Sequence, residues 1–453
     1  MNIVIIGCGK VGSLLAEHLS RENHNVTIVD INQQKIETAV LENDIIGVVG
    51  NGLDLEVLKE ADVGKADLVI SVTPNDEKNL LVGIMSKELG AKRLIGRVRS
   101  PEFFAHKEFF KKTFGFSMIA NPELDTAKEL DRMISFPEAL KVETFAKGKI
   151  ELAEIKIRKQ SKISGQPLYQ ISRQAKLPIL VCSVIRNGEI IIPNGDFVLL
   201  KGDHIHVIGH HSDLIRFCVD LGIYDKQIHK VMIVGAGEIA TYLTQRLLER
   251  DIEVKVIEIK HEKAVKFANK FPNVTVIEGD GSDESILDEE GIEQMDAFIS
   301  LTGMDEENII LSLGAKQMGV KKAIAKVNRN RLHNIANIID VDNTVSPKNV
   351  IANQIIRYVR ARANGEDNHD LLTLYKLVDG KIEAMEFNVT KSFKGLNTPL
   401  KNLPLQKDLI VAGISRNGVM IIPNGNDCLQ VDDHVIIISK HSIESLNGIL
   451  GAK

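Results

Sequence analysis

The sequence predicts an α/β protein: two doubly wound parallel-sheet domains, each followed by a small α+β, β-rich domain. Three observations lead there. The chain repeats itself at a nearly constant offset. Each copy opens on a β-branched run, a glycine turn and a helix-periodic stretch, then alternates strand with helix. Each copy closes on a segment where Arg186-Asn187-Gly188 or Arg416-Asn417-Gly418 stands between apolar runs, a hairpin signal.

The repeat is read directly. Residues 3–12, IVIIGCGKVG, answer 231–240, VMIVGAGEIA, so Gly7 and Gly235 lie 228 positions apart. VVGNGLD at 48–54 answers IEGDGSD at 277–283, and DLVISVT at 67–73 answers DAFISLT at 296–302. The closing segments match too, IRNGEIIIPNGD at 185–196 against SRNGVMIIPNGN at 415–426. Short motifs shared by accident would not keep so steady a register, and the chain is an internal duplication.

Within a copy, the first helix shows as Leu14, Leu15, His18 and Leu19, or as Leu243, Leu247 and Leu248. A second apolar strand follows at 26–30 and 254–258. Further alternation through 48–49, 68–72, 79–89 and 93–98 implies parallel strands joined by crossover helices. An extra amphipathic helix starts at Asn121-Pro122, with Leu124, Ala127, Leu130 and Ile134 as its stripe; Ser346-Pro347, Ile351, Ile355 and Tyr358 are the counterpart. Gly148 and Gly380 mark turns entering the β-rich parts, and the polar stretch 363–369 reads as a flexible joint. The expected boundaries are 1–139, 140–224, 225–366 and 367–453.

Bulk properties fit this division. A chain of 453 residues exceeds one core. Its 44% apolar and 26% charged residues are those of a soluble globular protein. The net charge of −5 offers no footprint for nucleic acid. Cys8, Cys182, Cys218 and Cys428 form no paired motif and read as small, partly buried apolar residues in a reducing compartment. No apolar run nears the roughly 18 residues that span a bilayer. The first residues read as a strand, not a signal peptide, so any membrane role is peripheral.

The chemistry concentrates at the glycine turns. Gly7-Cys8-Gly9-Lys10-Val11-Gly12 is G-x-G-x-x-G between a strand and a helix, the Rossmann-type context that gives the motif meaning. Gly7 permits the turn, Gly9 lets backbone approach a pyrophosphate, and Gly12 lets helix and strand pack closely. Asp30 ends the second strand 23 residues after Gly7, placed to accept from an adenosine ribose. The second copy offers Gly235, Ala236, Gly237, Glu238 and Ile239, then Ala240 and, again 23 residues on, Glu258. Glu238 in place of Lys10 should oppose an anion, so the second turn is expected to bind nucleotide more weakly or with another preference. Acids at 30 and 258 favour NAD(H) or adenine nucleotides such as ATP and ADP over NADP(H). Thr73 and Pro74 lie at the carboxyl edge of the fourth strand, and Arg97, whose counterpart is Lys326, could pair with a phosphate. His204, His206, His210 and His211 invite a metal reading, but no third ligand is evident on the strand, and a solvated strand end is expected.

A dehydrogenase needs a substrate domain carrying an acid–base group, and neither copy shows a catalytic set at matched positions. Two linked sensors that shift a conformational equilibrium explain the duplication better. An NAD-dependent oxidoreductase of unknown substrate is the alternative.

Taken together, the paired glycine motifs and acids, GNGLD or GDGSD, SVTPNDEKN or SLTGMDEEN, and the RNG…IIPNG…DH segments resemble the TrkA family of regulatory subunits in bacterial Trk potassium uptake systems. That family is built from tandem RCK units, and the resemblance covers essentially the whole chain. It implies Rossmann-like and RCK-C domains, NAD(H) as ligand, and a cytoplasmic homo-oligomeric ring, a dimer or tetramer. The ring would sit on the inner face of the membrane and gate an integral-membrane potassium transporter. By that resemblance the first site is residues 7–11, Asp30, Thr73, Pro74 and Arg97, and the second is residues 235–239 and Glu258.

Overall fold

The computed structural model describes residues 1–135, 139–146, 149–157, 161–220, 228–329, 331–332, 343–363, 370–378 and 381–451. Apart from Ala363, the joint expected at 363–369 lies outside the described residues, as do Gly148 and Gly380.

The first half begins β1 (Asn2–Ile6), α1 (Lys10–Arg21), β2 (Asn25–Asp30), α2 (Gln33–Glu42), β3 (Ile46–Val49) and α3 (Leu55–Glu60). It continues β4 (Leu68–Ser71), α4 (Asp76–Glu88), β5 (Leu94–Arg97), α5 (Pro101–Ala105), α6 (Lys107–Phe114), β6 (Met118–Ala120) and α7 (Pro122–Ser135). The six strands are parallel in the order β3-β2-β1-β4-β5-β6, the dinucleotide-fold order that reverses direction beside β1. The helices start where side chains satisfy their free N–H groups: Asn32 accepts from Lys35, Asp54 from Glu56 and Asn75 from Lys78. The short helices α5 and α6 were not foreseen.

A five-stranded antiparallel sheet follows, built from β7 (Ala139–Phe145), β8 (Ile150–Lys156), α8 (Leu168–Ala175), β9 (Leu180–Arg186), β10 (Glu189–Ile191), β11 (His204–Gly209) and α9 (His211–Asp220). The second half repeats the parallel sheet with β12 (Lys230–Val234), α10 (Glu238–Leu248), β13 (Glu253–Glu258), α11 (His261–Lys270), β14 (Thr275–Glu278) and α12 (Glu284–Glu289). Its remaining elements are β15 (Ala297–Ser300), α13 (Asp305–Gln317), β16 (Lys322–Lys326), β17 (Asn343–Val345) and α14 (Pro347–Ala363). The strand order is again β14-β13-β12-β15-β16-β17. The last antiparallel sheet has β18 (Leu371–Leu377), β19 (Ile382–Asn388), β20 (Leu409–Arg416), β21 (Val419–Ile421) and β22 (His434–Ser439). Asn187 and Asn417, both at positive φ, turn the β9–β10 and β20–β21 hairpins where the sequence places them.

The chain sorts into two compact units that group like with like. One holds residues 1–134 and 228–356, with both parallel sheets. The other holds residues 135–227 and 357–453, with both antiparallel sheets. In the first unit α7 packs its apolar stripe on the sheet of the other half. Its stripe of Ala127, Leu130 and Ile134 is buried against Val231, Ile233, Val256 and Ile299 of the second half. The carboxylate of Asp131 on α7 pairs with Arg246 at 2.7 Å and Arg250 at 2.6 Å, on and just beyond α10. In the second unit Phe145, Leu152 and Ile208 of the first copy share a core with Tyr375, Ala384 and Ile436 of the second. The rings of Phe145 and Tyr375 meet edge-on at 4.9 Å between centroids.

Candidate nucleotide site

The carboxyl ends of β1, β2 and β4 enclose a cavity of about 500 Å³ lined by Gly7, Asp30, Asn32, Gly52, Thr73 and Pro74, among others. Gly7 has φ +109, a conformation that L side chains rarely adopt, and a Cβ there would stand 3.1 Å from the Thr73 nitrogen. A Cβ on Gly12 would lie 1.8 Å from the Gly7 carbonyl oxygen, so Gly12 allows α1 to start beneath the turn. A Cβ on Gly9 would meet nothing within 4 Å. The space it leaves is therefore available to a ligand, facing the first N–H groups of α1.

Asp30 already holds this turn. One carboxylate oxygen accepts the Cys8 N–H at 2.7 Å and the other the Asn32 N–H at 2.9 Å. Each oxygen keeps acceptor capacity for a ribose hydroxyl. The Cys8 side chain is buried, and burial, then the Asp30 charge, raises its thiol pKa. Asn79 was absent from the sequence-derived site, yet it fixes the opposite wall. Its fully buried amide accepts the Thr73 N–H at 2.8 Å and donates to the carbonyls of Thr73 and Arg97 at 3.0 Å each. Its twin Asn308 accepts from Thr302 at 2.8 Å and donates to the Lys326 carbonyl at 2.9 Å. The identity of Asn79 and Asn308 across the repeat was the signal that could have found them.

A second cleft of about 330 Å³ adjoins the first. It brings together Gly7, Gly9, Lys10, Val11, Asp30, Thr73, Pro74 and Arg97. The predicted residues Cys8 and Gly12 are not on this wall; one gives its N–H to Asp30 and the other packs under the turn. Residues that sequence reading missed complete the cleft: Lys35 on α2, Glu123 on α7, and Asn328, Pro347 and Lys348 from the second half. No motif marks these, because they arrive from elements distant in sequence. Arg97, its side chain 17% exposed, faces Glu123 at 4.0 Å. Burial lowers the Arg97 pKa, opposed by the Glu123 charge, and burial raises that of Glu123. Arg97 Nε and Glu123 Oε2 are buried without a hydrogen-bond partner among the described residues.

The second copy builds the same scaffold with other charges. Gly235 has φ +102, and buried Glu258 accepts the N–H groups of Ala236 at 2.8 Å and Lys260 at 2.9 Å. Ala236, Gly237 and Glu238 line a cleft with Glu123, Lys263 and Lys266, while Ile239 is buried in the core. Lys326, the counterpart of Arg97, turns onto backbone and donates to the Leu301 carbonyl at 3.1 Å. Its pKa is lowered by burial, opposed by Asp305 and Glu123.

One expectation is corrected. His206 is not at a solvated strand end: it is buried and bonds Ser183 at 2.8 Å, because β11 is central in its sheet. His204, half-buried beside it, bonds Glu154 at 3.0 Å.

Two dinucleotide-fold sheets, each with a glycine turn and a strand-end acid, alternating with antiparallel domains, define a tandem Rossmann-type protein. The TrkA-N domain family matches residues 3–122 and 231–347, and the TrkA-C domain family matches residues 152–222 and 384–450. The chain is 32% identical over 441 residues to a Trk system potassium uptake protein TrkA homolog of Archaeoglobus fulgidus, covering 97% of each chain. It is 30% identical to the Trk system potassium uptake protein TrkA of Vibrio alginolyticus, covering 96% of this chain and 95% of that one. The chain belongs to the TrkA family. Among solved structures it shares its fold with the GsuK channel (TM-score 0.65, 17% identity, 97% of this chain and 76% of that). The same fold recurs in the GsuK channel bound to NAD (TM-score 0.64, 17% identity, 97% and 76%). Among the described residues, no helix is long and apolar enough to cross a membrane.

Proposed function

We propose that this chain is a nucleotide-sensing regulatory subunit that gates a Trk-type potassium transporter. It would work as a homo-oligomeric ring on the cytoplasmic face of the membrane, without turning its ligand over. The observation that carries this reading is the first cleft. An open glycine turn, a strand-end acid and cations from both halves converge there, as an NAD(H) or adenine nucleotide requires. Because Asn328, Pro347 and Lys348 of the second half line the same cleft, a ligand touches both halves at once. Binding can then favour one arrangement of the halves over another, which is what a regulator needs. The relatives named as potassium uptake proteins supply the transporter side of the proposal.

The test is titration of the full chain with NAD, NADH, ATP and ADP, alongside potassium uptake in cells carrying the transporter subunit. Asp30→Ala should weaken binding by about 1.5–3 kcal/mol, roughly 10- to 100-fold. Unchanged affinities in that variant remove the assigned site. Potassium uptake indifferent to loss of the chain removes the regulatory reading, and oxidation or reduction of bound cofactor by cell metabolites favours the oxidoreductase.

A further inference from the structure

The two crossover helices carry opposite charges at equivalent positions. Glu123 follows Pro122 at the start of α7, and Lys348 follows Pro347 at the start of α14. Each reaches the glycine turn of the other half. Lys348 shares a cleft with Gly7, Gly9 and Lys10, and Glu123 shares one with Ala236, Gly237 and Glu238. The turns differ in the same sense, Lys10 against Glu238. Two exchanges on separate elements therefore point the same way.

The surrounding charges keep the contrast. The first cleft has Lys10, Lys35, Arg97 and Lys348 against the carboxylates Asp30 and Glu123. Of these two acids, Glu123 is faced by Arg97 at 4.0 Å and Asp30 is bonded to backbone N–H groups. In the second cleft four cations meet four carboxylates, Glu123 and Glu238 among them. Lys348 also lines the neighbouring groove between α1 and α2, with Lys10, Lys35 and Arg21 against Glu17 and Glu42. Burial, then Lys10, lowers the Lys348 pKa, opposed by the charges of Asp305 and Glu17.

We propose that Lys348 of the second half reads the terminal phosphate of an adenine nucleoside polyphosphate held on the first glycine turn, and that its exchange with Glu123 confines such ligands to that turn. The inference rests on the nucleotide-site reading above and adds a specificity-determining residue to it. A monophosphate reaches only the turn. Each further phosphate extends toward Lys10 and Lys348, so the contribution of Lys348 grows with phosphate count. The second turn, facing Glu238 and Glu123, disfavours the same chain of charges.

The experiment compares ATP, ADP and AMP binding to the full chain and to Lys348→Gln by calorimetry. The inference expects ATP affinity to fall about 10-fold or more while AMP affinity stays within about twofold, since a lost charge-assisted contact is worth this much. It also expects one high-affinity ATP per chain, rising toward two in Glu238→Lys, a change at an exposed position. Equal losses for ATP and AMP, or no loss for either, would overturn it, as would two equivalent ATP sites in the unaltered chain. Asp30→Ala run alongside separates the readings. If AMP affinity does not fall there, the nucleotide site itself fails; if it falls while Lys348→Gln binds ATP normally, only the role of Lys348 fails.

Discussion

At the scale of single residues, the first site divides its glycines by task. Gly7 is held at φ +109 by the fold, whereas Gly9 has φ −86 and ψ −169, which any residue adopts. Gly9→Ala should therefore leave the unfolding free energy, read by denaturant titration, within about 0.5 kcal/mol of the unaltered chain, because its Cβ meets no protein atom within 4 Å. The same methyl stands where a pyrophosphate would lie, so nucleotide affinity should drop about 10-fold or more. Retained affinity would mean the ligand does not approach this backbone. These glycines and Asp30 were legible because strand–turn–helix geometry lies within 30 consecutive residues. Lys348 and Glu123 were not, since which charge faces which turn depends on a helix crossing between halves.

Between elements, the copies share one plan but not the same fastenings. Asp131 on α7 grips Arg246 and Arg250. The matching place on α14 is Ile356, and His18 and Glu22 stand where those arginines would. Asp131→Ala should lower the stability of the parallel-sheet unit by about 2 kcal/mol, the value of partly exposed charged hydrogen bonds. A fall in the urea midpoint at constant slope reads it; no fall means α7 is held by its apolar stripe alone. The antiparallel copies also diverge. The first has helix α8 after Pro167, whereas the matching segment after Pro399 ends as a single tight turn at Leu400–Asn402. Pro404, which lacks an N–H, explains why the helix cannot continue there. Strand and helix periodicity was legible at this scale, and the short helices α5 and α6 lacked a long enough apolar pattern to show.

For the whole molecule, neither copy is self-sufficient. The stripe of α7 is buried by the second half, and the face of the first antiparallel sheet carrying Phe145 and Ile208 is buried by the second antiparallel sheet. A fragment of residues 1–220 should expose both surfaces and self-associate, trading α7 between two fragments as the intact chain trades it between halves. Sedimentation would show a dimer or larger species, and a stable monomer with intact helix content would sink this account. The sequence alone determined the duplication, the parallel and antiparallel sheets, the turns and the strand-end acids. All of these follow from local periodicity and from backbone conformations that few residues tolerate. Tertiary structure alone decided that like domains group together, that each crossover helix reaches the other half's turn, and that His206 is buried. Those outcomes rest on which apolar face finds which partner, and a stripe such as Ala127, Leu130 and Ile134 says only that it must be covered, not by what.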